Sequence, residues 1–216
     1  MIPDLFAGLT LPASPQTLCP GAVVLCGYAQ AYDTALAAAL SAIATQAPFR
    51  HMQTPGGFQM SVAMTNCGAY GWVSDAHGYR YATHDPDSGV PWPAMPPEFL
   101  SLAESAATAA GFNGFIPDAC LINRYAPGTK LSLHQDKDER DFTAPIVSVS
   151  LGVPAVFLFG GQRRQDVCQR VPLTHGDVVV WGGPARRFYH GVLAVKNHQH
   201  PFAGAARINL TLRKAR

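Results

Sequence analysis

Charge is scarce in this chain: Asp, Glu, Lys and Arg make up 14% of its 216 residues, against roughly 25% in ordinary soluble domains, which excludes a disordered tail or a coiled coil. Cysteine is sparse as well. Its five copies, Cys19, Cys26, Cys67, Cys120 and Cys168, are odd in number and show no C-x-x-C spacing, which argues against a disulfide framework or a zinc knuckle and for reduced thiols in a cytoplasm. Residues 1–16 hold Asp4, no basic residue and no long apolar run, so no secretory signal is expected there. A membrane span is missing too. Residues 143–162 carry no charge, but Ser148, Ser150, Gly152 and Pro154 split them into alternating runs over 145–151 and 155–159, two strands joined by a turn.

What is present is turn-rich and apolar. With 48% hydrophobic residues, 18 Pro and 20 Gly, the chain has the material for one domain of many short strands. Two Ala-rich segments read as helices. Asp33 caps one over 33–46, stopped by Pro48, and Pro97 opens another over 97–110, stopped by Gly111. Between them, residues 50–96 mix frequent Gly and Pro with Tyr70, Trp72, Tyr79, Tyr81 and Trp92, the pattern of an irregular, strand-containing lid rather than core. Beyond Phe115, strands are expected over 119–125, 130–136, 146–151, 156–159, 178–181, 188–190 and 207–213, a succession without helices that points to a jelly roll or sandwich.

The net charge of +2 hides an asymmetry. Residues 1–162 carry 6 Lys/Arg against 12 Asp/Glu, and residues 163–216 carry 10 against 2. The basic last quarter faces either a polyanion or plain solvent.

Period-two alternation over 130–136 puts Ser132, His134 and Asp136 on one face. An imidazole and a carboxylate so placed supply two ligands of one metal, and a distant His completes the two-His, one-carboxylate face that leaves positions open on Fe(II). The motif alone is weak, since His175-Gly176-Asp177 repeats it; that copy reads as a turn into the apolar run Val178-Val179-Val180-Trp181. For the third ligand His190, in Phe188-Tyr189-His190-Gly191, is favoured over His175, His198 and His200, although a lone His between aromatics is more often a packed core residue.

The segment 207–213 alternates without a fault: Ile208, Leu210 and Leu212 on one face, Arg207, Asn209, Thr211 and Arg213 on the other. Two Arg bracketing two neutral hydrogen-bonders suit a partly buried dicarboxylate, with Asn123 and Tyr125 as further donors. A solvated edge strand is the competing reading. Asp138 and Glu139 by themselves read as a solvated charge run.

Taken together, Asn123-Arg124-Tyr125, His134-Gln135-Asp136-Lys137-Asp138-Glu139, Phe188-Tyr189-His190-Gly191 and the 207–213 alternation resemble the AlkB family of Fe(II)- and 2-oxoglutarate-dependent dioxygenases, its bacterial alkylation-repair members in particular. The likeness runs from about residue 48 to 213 and includes Thr54-Pro55-Gly56-Gly57, the stretch 60–68 and Pro91-Trp92-Pro93-Ala94-Met95-Pro96, while the first 45 residues match weakly and residues 196–206 and the tail after Arg213 give no alignment. The resemblance implies a mainly β fold with flanking helices: a double-stranded β-helix, or jelly roll, over residues 115–213 with a nucleotide-recognition lid over 50–90. It implies Fe(II) on His134, Asp136 and His190, and 2-oxoglutarate on Arg207, Asn209, Thr211 and Arg213 with Asn123, Arg124 and Tyr125. O2 and 2-oxoglutarate would then give succinate and CO2 while an N-methyl group on a damaged base is hydroxylated and leaves as formaldehyde.

Such a methyl group is out of reach in a stacked duplex, so the base is flipped or comes from a single strand. By the same resemblance Trp72 and the ring of His134 sandwich it, and Tyr79, Arg80 and Tyr81 are substrate contacts, the tyrosines near the phosphates. Asp138 meets a cationic lesion such as 1-methyladenine or 3-methylcytosine, and Arg164 touches the substrate strand. The expected partner is alkylated DNA, with RNA as the alternative, and the expected protein is a cytoplasmic monomer without a membrane segment. Competing readings are a 2-oxoglutarate-dependent hydroxylase of methylated RNA or protein, and a metal-free jelly-roll module that binds an anion.

Overall fold

The computed structural model describes residues 14–216, so the expectation about a secretory leader lies mostly outside the described residues. In chain order the elements are β1 (Gln16–Cys19), β2 (Ala22–Leu25), α1 (Asp33–Gln46), β3 (Ala63–Gly68), β4 (Gly71–Asp75), β5 (Gly78–Ala82) and α2 (Pro97–Ala109). Then follow β6 (Ala119–Tyr125), β7 (Leu131–His134), β8 (Ile146–Gly152), β9 (Ala155–Phe159), β10 (Gln169–Leu173), β11 (Val178–Trp181), β12 (His190–Val192) and β13 (Arg207–Arg213). Among the described residues the strands form a major sheet in the order β1-β2-β11-β8-β13-β6-β3, a minor sheet β10-β9-β12-β7 and the separate hairpin β4-β5. Within each sheet the paired neighbours run antiparallel. The expected jelly roll is the observed one.

Alternation decides what each face of the major sheet does. Ile208, Leu210 and Leu212 of β13, Val147, Val149 and Leu151 of β8 and Ile122 of β6 pack against Leu36 and Ile43 of α1 and Phe99 and Leu102 of α2. The helices therefore cover the outer face. Each fully buried side chain of this kind contributes about 1.5–3 kcal/mol. On the inner face Leu121, Tyr125, Ile146, Val179 and Trp181 meet Phe157, Phe159, Val171, Leu173 and Val192 of the minor sheet. The alternating polar residues of β13, β8 and β6 point the same way, so a polar stripe is trapped between two sheets.

Several expectations shift. α1 and α2 form as expected, but Asp33 opens α1 as its first residue and makes no cap; its Oδ2 lies 2.8 Å from His175 Nε2 instead. β3, placed in the expected lid, is an edge strand of the major sheet, paired with β6. The rest of the expected lid holds the separate β4-β5 hairpin. Strands β1, β2 and β10 were not expected; Arg170 and Pro172 of β10 are exposed, which breaks the hydrophobic signal. The strand expected over 130–136 ends at His134, because the Asp136 carbonyl accepts from Arg186 Nη1 at 3.1 Å rather than from a neighbouring strand. That expected over 188–190 starts only at His190, since the Phe188 amide closes a turn onto the Ala185 carbonyl. No helix among the described residues is long and apolar enough to cross a membrane.

Candidate active site

The early end of β7 and the late start of β12 place His134 directly opposite His190. Gly191 permits this pairing, since a Cβ there would lie 2.7 Å from the Leu131 carbonyl oxygen. Asp136 follows just beyond β7. Its Oδ1 is 3.7 Å from His134 Nε2 and its Oδ2 is 3.7 Å from His190 Nε2. All three ligand atoms fall within 4.8 Å of one another.

The protonation states suit a cation. His134 Nδ1 lies 2.9 Å from the Ser132 carbonyl and His190 Nδ1 lies 3.0 Å from the Phe188 carbonyl. A carbonyl only accepts, so each Nδ1 carries a proton and Nε2 is the ring nitrogen turned to a metal. Burial pushes His190 down to about 4, reinforced by His134 and opposed by Asp136, so its ring is neutral near pH 7. Burial alone would raise the carboxyl of Asp136. Arg213, whose Nη2 lies 2.7 Å from Oδ2, outweighs that together with the two imidazoles and holds it well below the usual carboxylate range.

Around the triad lies a cavity of about 500 Å³. Its wall carries Asn123, Tyr125, Ser148, Arg207, Asn209, Thr211 and Arg213 from the polar stripe, and its mouth carries Trp72, Tyr79, Lys130, Lys137, Asp138 and Arg164. Arg207 is 2% exposed. Its Nη2 donates to Ser150 Oγ at 2.9 Å, but its Nε and Nη1 have no hydrogen-bond partner among the described residues. A buried guanidinium without a carboxylate is costly unless an anion completes it. Burial lowers the pKa of Arg207, with Tyr125 opposing the shift. Asn209 Nδ2 donates to Ser148 Oγ at 2.9 Å and Thr211 Oγ1 donates to Asn209 Oδ1 at 3.0 Å, so the floor between the two arginines is pre-ordered.

At the mouth, Trp72 stacks on Tyr79 with ring centroids 5.6 Å apart and an interplanar angle of 14°. The indole Nε1 of Trp72 donates to Asp138 Oδ2 at 2.8 Å, and Arg164 Nη1 donates to the Leu133 carbonyl at 2.7 Å.

Three expected site residues stand elsewhere. Arg124 is exposed, because alternation along β6 turns it away from the face that Asn123 and Tyr125 share. Arg80 is bound to Asp75, with Nη1 2.8 Å from Oδ1 and Nη2 2.7 Å from Oδ2, and does not line the cavity. Tyr81 is buried, and its hydroxyl donates to Glu139 Oε1 at 2.7 Å, so it faces a carboxylate rather than a phosphate. Of the rival histidines, His175 is taken by Asp33 and stacks on His200, apart from the triad. The basic quarter also reads differently in three dimensions, since Arg186, Arg207 and Arg213 are all buried.

Sequence reasoning missed Trp181, Glu139 and Arg186. Trp181 lines the cavity with its ring centroid 5.0 Å from that of His190, and only its place at the end of an apolar strand marked it. Glu139 is buried rather than solvated.

Two imidazoles and a carboxylate on one face, beside a buried cation that lacks an anion, inside a jelly roll, define an iron oxygenase that takes an acidic cosubstrate. The donor set fits Fe(II), and the unpaired atoms of Arg207 fit a carboxylate. The model of the 2OG-Fe(II) oxygenase superfamily matches residues 21–213. The alpha-ketoglutarate-dependent dioxygenase AlkB of Salmonella typhimurium is 59% identical over 98% of this chain and 97% of its own, and that of Escherichia coli is 56% identical with the same coverage. The solved structure of OsALKBH1 superposes with a TM-score of 0.81 at 28% identity, covering 93% of this chain and 99% of that one. The chain belongs to the AlkB family of the 2OG-Fe(II) oxygenase superfamily, and its cofactor and cosubstrates are Fe(II), 2-oxoglutarate and O2.

Proposed function

We propose that this dioxygenase removes N-linked methyl groups from alkylated bases in DNA, of the 1-methyladenine and 3-methylcytosine type. The observation that carries this reading is the continuity of one cavity from the triad to an aromatic and acidic mouth: Trp72 and Tyr79 offer flat faces for a base, and Asp138 offers a carboxylate for a cationic lesion. Base–aromatic stacking is sequence-tolerant, and a carboxylate favours a positively charged ring over its undamaged, neutral form. Lys130, Lys137 and Arg164 at the same mouth suit the phosphates of the strand that delivers the base.

Within this reading Arg207 pairs the distal carboxylate of 2-oxoglutarate, with Tyr125 beneath it, the guanidinium carbon being 5.1 Å from the ring centroid. Asn123, Asn209 and Thr211 line the path toward the metal, where Nε2 of His134, the Asp136 carboxylate and Nε2 of His190 are the ligands. Iron so held supplies oxidation of the methyl C–H bond, coupled to conversion of 2-oxoglutarate and O2 into succinate and CO2. The resulting N-hydroxymethyl base loses formaldehyde. Apolar walls from Leu121, Phe157 and Val192 keep bulk water from the reacting atoms.

The base enters flipped or from a single strand, and the β4-β5 hairpin with the 51–61 stretch is the substrate lid. The protein acts as a monomer, and its five free cysteines suit a reducing cytoplasm. The test is formaldehyde release from single-stranded DNA carrying one 1-methyladenine, with matched RNA and a peptide as parallel arms. Formaldehyde tracking 2-oxoglutarate consumption on DNA supports the reading. Decarboxylation without formaldehyde from either nucleic acid would move the assignment to the protein-hydroxylase alternative.

A further inference from the structure

Behind the triad lies a second layer of buried charge that the cofactor and the base do not explain. The side chains of Arg186 and Glu139 are 3% and 1% exposed, and neither lines the cavity. Arg186 Nη2 lies 3.3 Å from Glu139 Oε2. The same guanidinium holds two main-chain carbonyls, Asp136 through Nη1 at 3.1 Å and Ala144 through Nε at 3.0 Å. Glu139 Oε1 accepts from the Tyr81 hydroxyl at 2.7 Å and stands 3.5 Å from Arg213 Nε. Arg213 in turn reaches Asp136 Oδ2 at 2.7 Å. Asp136 is thus gripped twice, at its carbonyl by Arg186 and at its carboxylate by Arg213, and Glu139 joins the two grips. Two carboxylates and two guanidiniums make the group formally neutral.

We propose that Glu139 and Arg186 are positioning residues of the metal site, which fix Asp136 through its main chain and through Arg213 and keep the charge beside the metal balanced. Stability alone is a poor reason for such a cluster, because burying ion pairs costs about as much desolvation as their attraction returns. A site for a divalent cation gives it a purpose. Without Glu139, two guanidiniums face one carboxylate, and the surplus positive charge opposes a 2+ ion. Without Arg186 as well, neutrality returns. The inference rests on the iron reading of His134, Asp136 and His190 and concerns residues outside that set.

The experiment titrates Co(II) into the full chain, stripped of metal with a chelator, and follows the visible absorption of the bound ion. The parent binds one Co(II) and Asp136→Ala binds none; a parent that binds none overturns the iron reading and this inference with it. Glu139→Gln keeps the size and removes the charge, and its Co(II) affinity falls by about tenfold, the scale of changes behind a metal ligand. Adding Arg186→Gln to that variant recovers part of the lost affinity, to within about threefold of the parent, because the surplus charge is removed although the hold on the Asp136 carbonyl goes with it. A merely structural cluster gives the opposite result, a double variant weaker than the single one, and that outcome overturns the inference. So does parental affinity in Glu139→Gln. Should Glu139→Gln fail to fold, Tyr81→Phe takes its place, removing no charge but the hydroxyl that donates to Glu139 and accepts from Arg213 Nη1; a Co(II) affinity at least two- to threefold weaker supports the inference and an unchanged affinity overturns it.

Discussion

Arg207 and Arg213 occupy the two ends of one face of β13, both buried, yet they keep different company. Arg213 has two carboxylates of its own chain, Asp136 at 2.7 Å and Glu139 at 3.5 Å. Burial would depress its pKa, but Asp136, Tyr81 and Glu139 together raise it. Arg207 has one serine hydroxyl and the face of Tyr125, and two of its nitrogens lack a partner among the described residues. The same residue type on the same strand is therefore matched by carboxylates of its own chain at one end and left open to an anion at the other. Identity of residue does not decide the role; the carboxylates already in place do.

The widest separation is expected at the carboxylate that Arg213 holds. Asp136→Ala removes a metal ligand, and turnover of 2-oxoglutarate should disappear; His190→Ala should do the same, whereas His175→Ala should retain activity. Loss of iron in His175→Ala with retention in His190→Ala would put the metal elsewhere. Next, Arg213→Met leaves the Asp136 carboxylate buried without its cation and Glu139 with Arg186 alone, and urea unfolding of the metal-free protein should show about 3–5 kcal/mol lost. Arg207→Met breaks no internal ion pair, so the same measurement should show little loss or a gain. Its effect belongs to the cosubstrate: the 2-oxoglutarate requirement should rise by about 10- to 100-fold, matching about 1.5–3 kcal/mol for a charge-assisted hydrogen bond. Arg207→Lys should recover only part of this, having no planar fork. Equal destabilisation by both Met variants would erase the distinction drawn between the two arginines.

The legible part of this site was local. Alternation over 207–213 separates an apolar from a polar face in the sequence alone, and the structure packs Ile208, Leu210 and Leu212 under the helices as that pattern demands. What alternation could not show is that the polar face is buried too. That depends on the minor sheet, whose strand β10 exposes Arg170 and Pro172 and carries little hydrophobic signal. Arg124 illustrates the cost of reading a motif without its pleat, for it stands between Asn123 and Tyr125 in sequence and on the opposite face in space. Glu139 illustrates the converse: three successive charges at 137–139 look solvated, and its partners Arg186 and Arg213 come from distant segments that no local pattern connects to it.

The smallest expected effects lie at the mouth, where the same contrast between an internal and an external partner recurs on one residue. Trp72 already spends its indole N–H on Asp138, at 2.8 Å, and one ring face on Tyr79. The ring also lines the cavity, where a base would meet it. Trp72→Ala removes that surface and should weaken binding of methylated DNA by about 1–3 kcal/mol, the range of a base–aromatic stack. Trp72→Phe keeps a ring and loses only the bond that orients Asp138, which should cost about 0.5–1.5 kcal/mol, the scale of one hydrogen bond, and less on unmethylated DNA than on a cationic lesion. Uncoupled decarboxylation of 2-oxoglutarate without DNA should survive in both, since Trp72 belongs to neither the metal nor the cosubstrate set. Binding of the parent should also weaken as salt rises, because cations at the mouth release counterions from phosphate. If Trp72→Ala demethylates 1-methyladenine DNA as well as the parent at low substrate, Trp72 is only the strut that holds Asp138, and Tyr79 is the next surface to test.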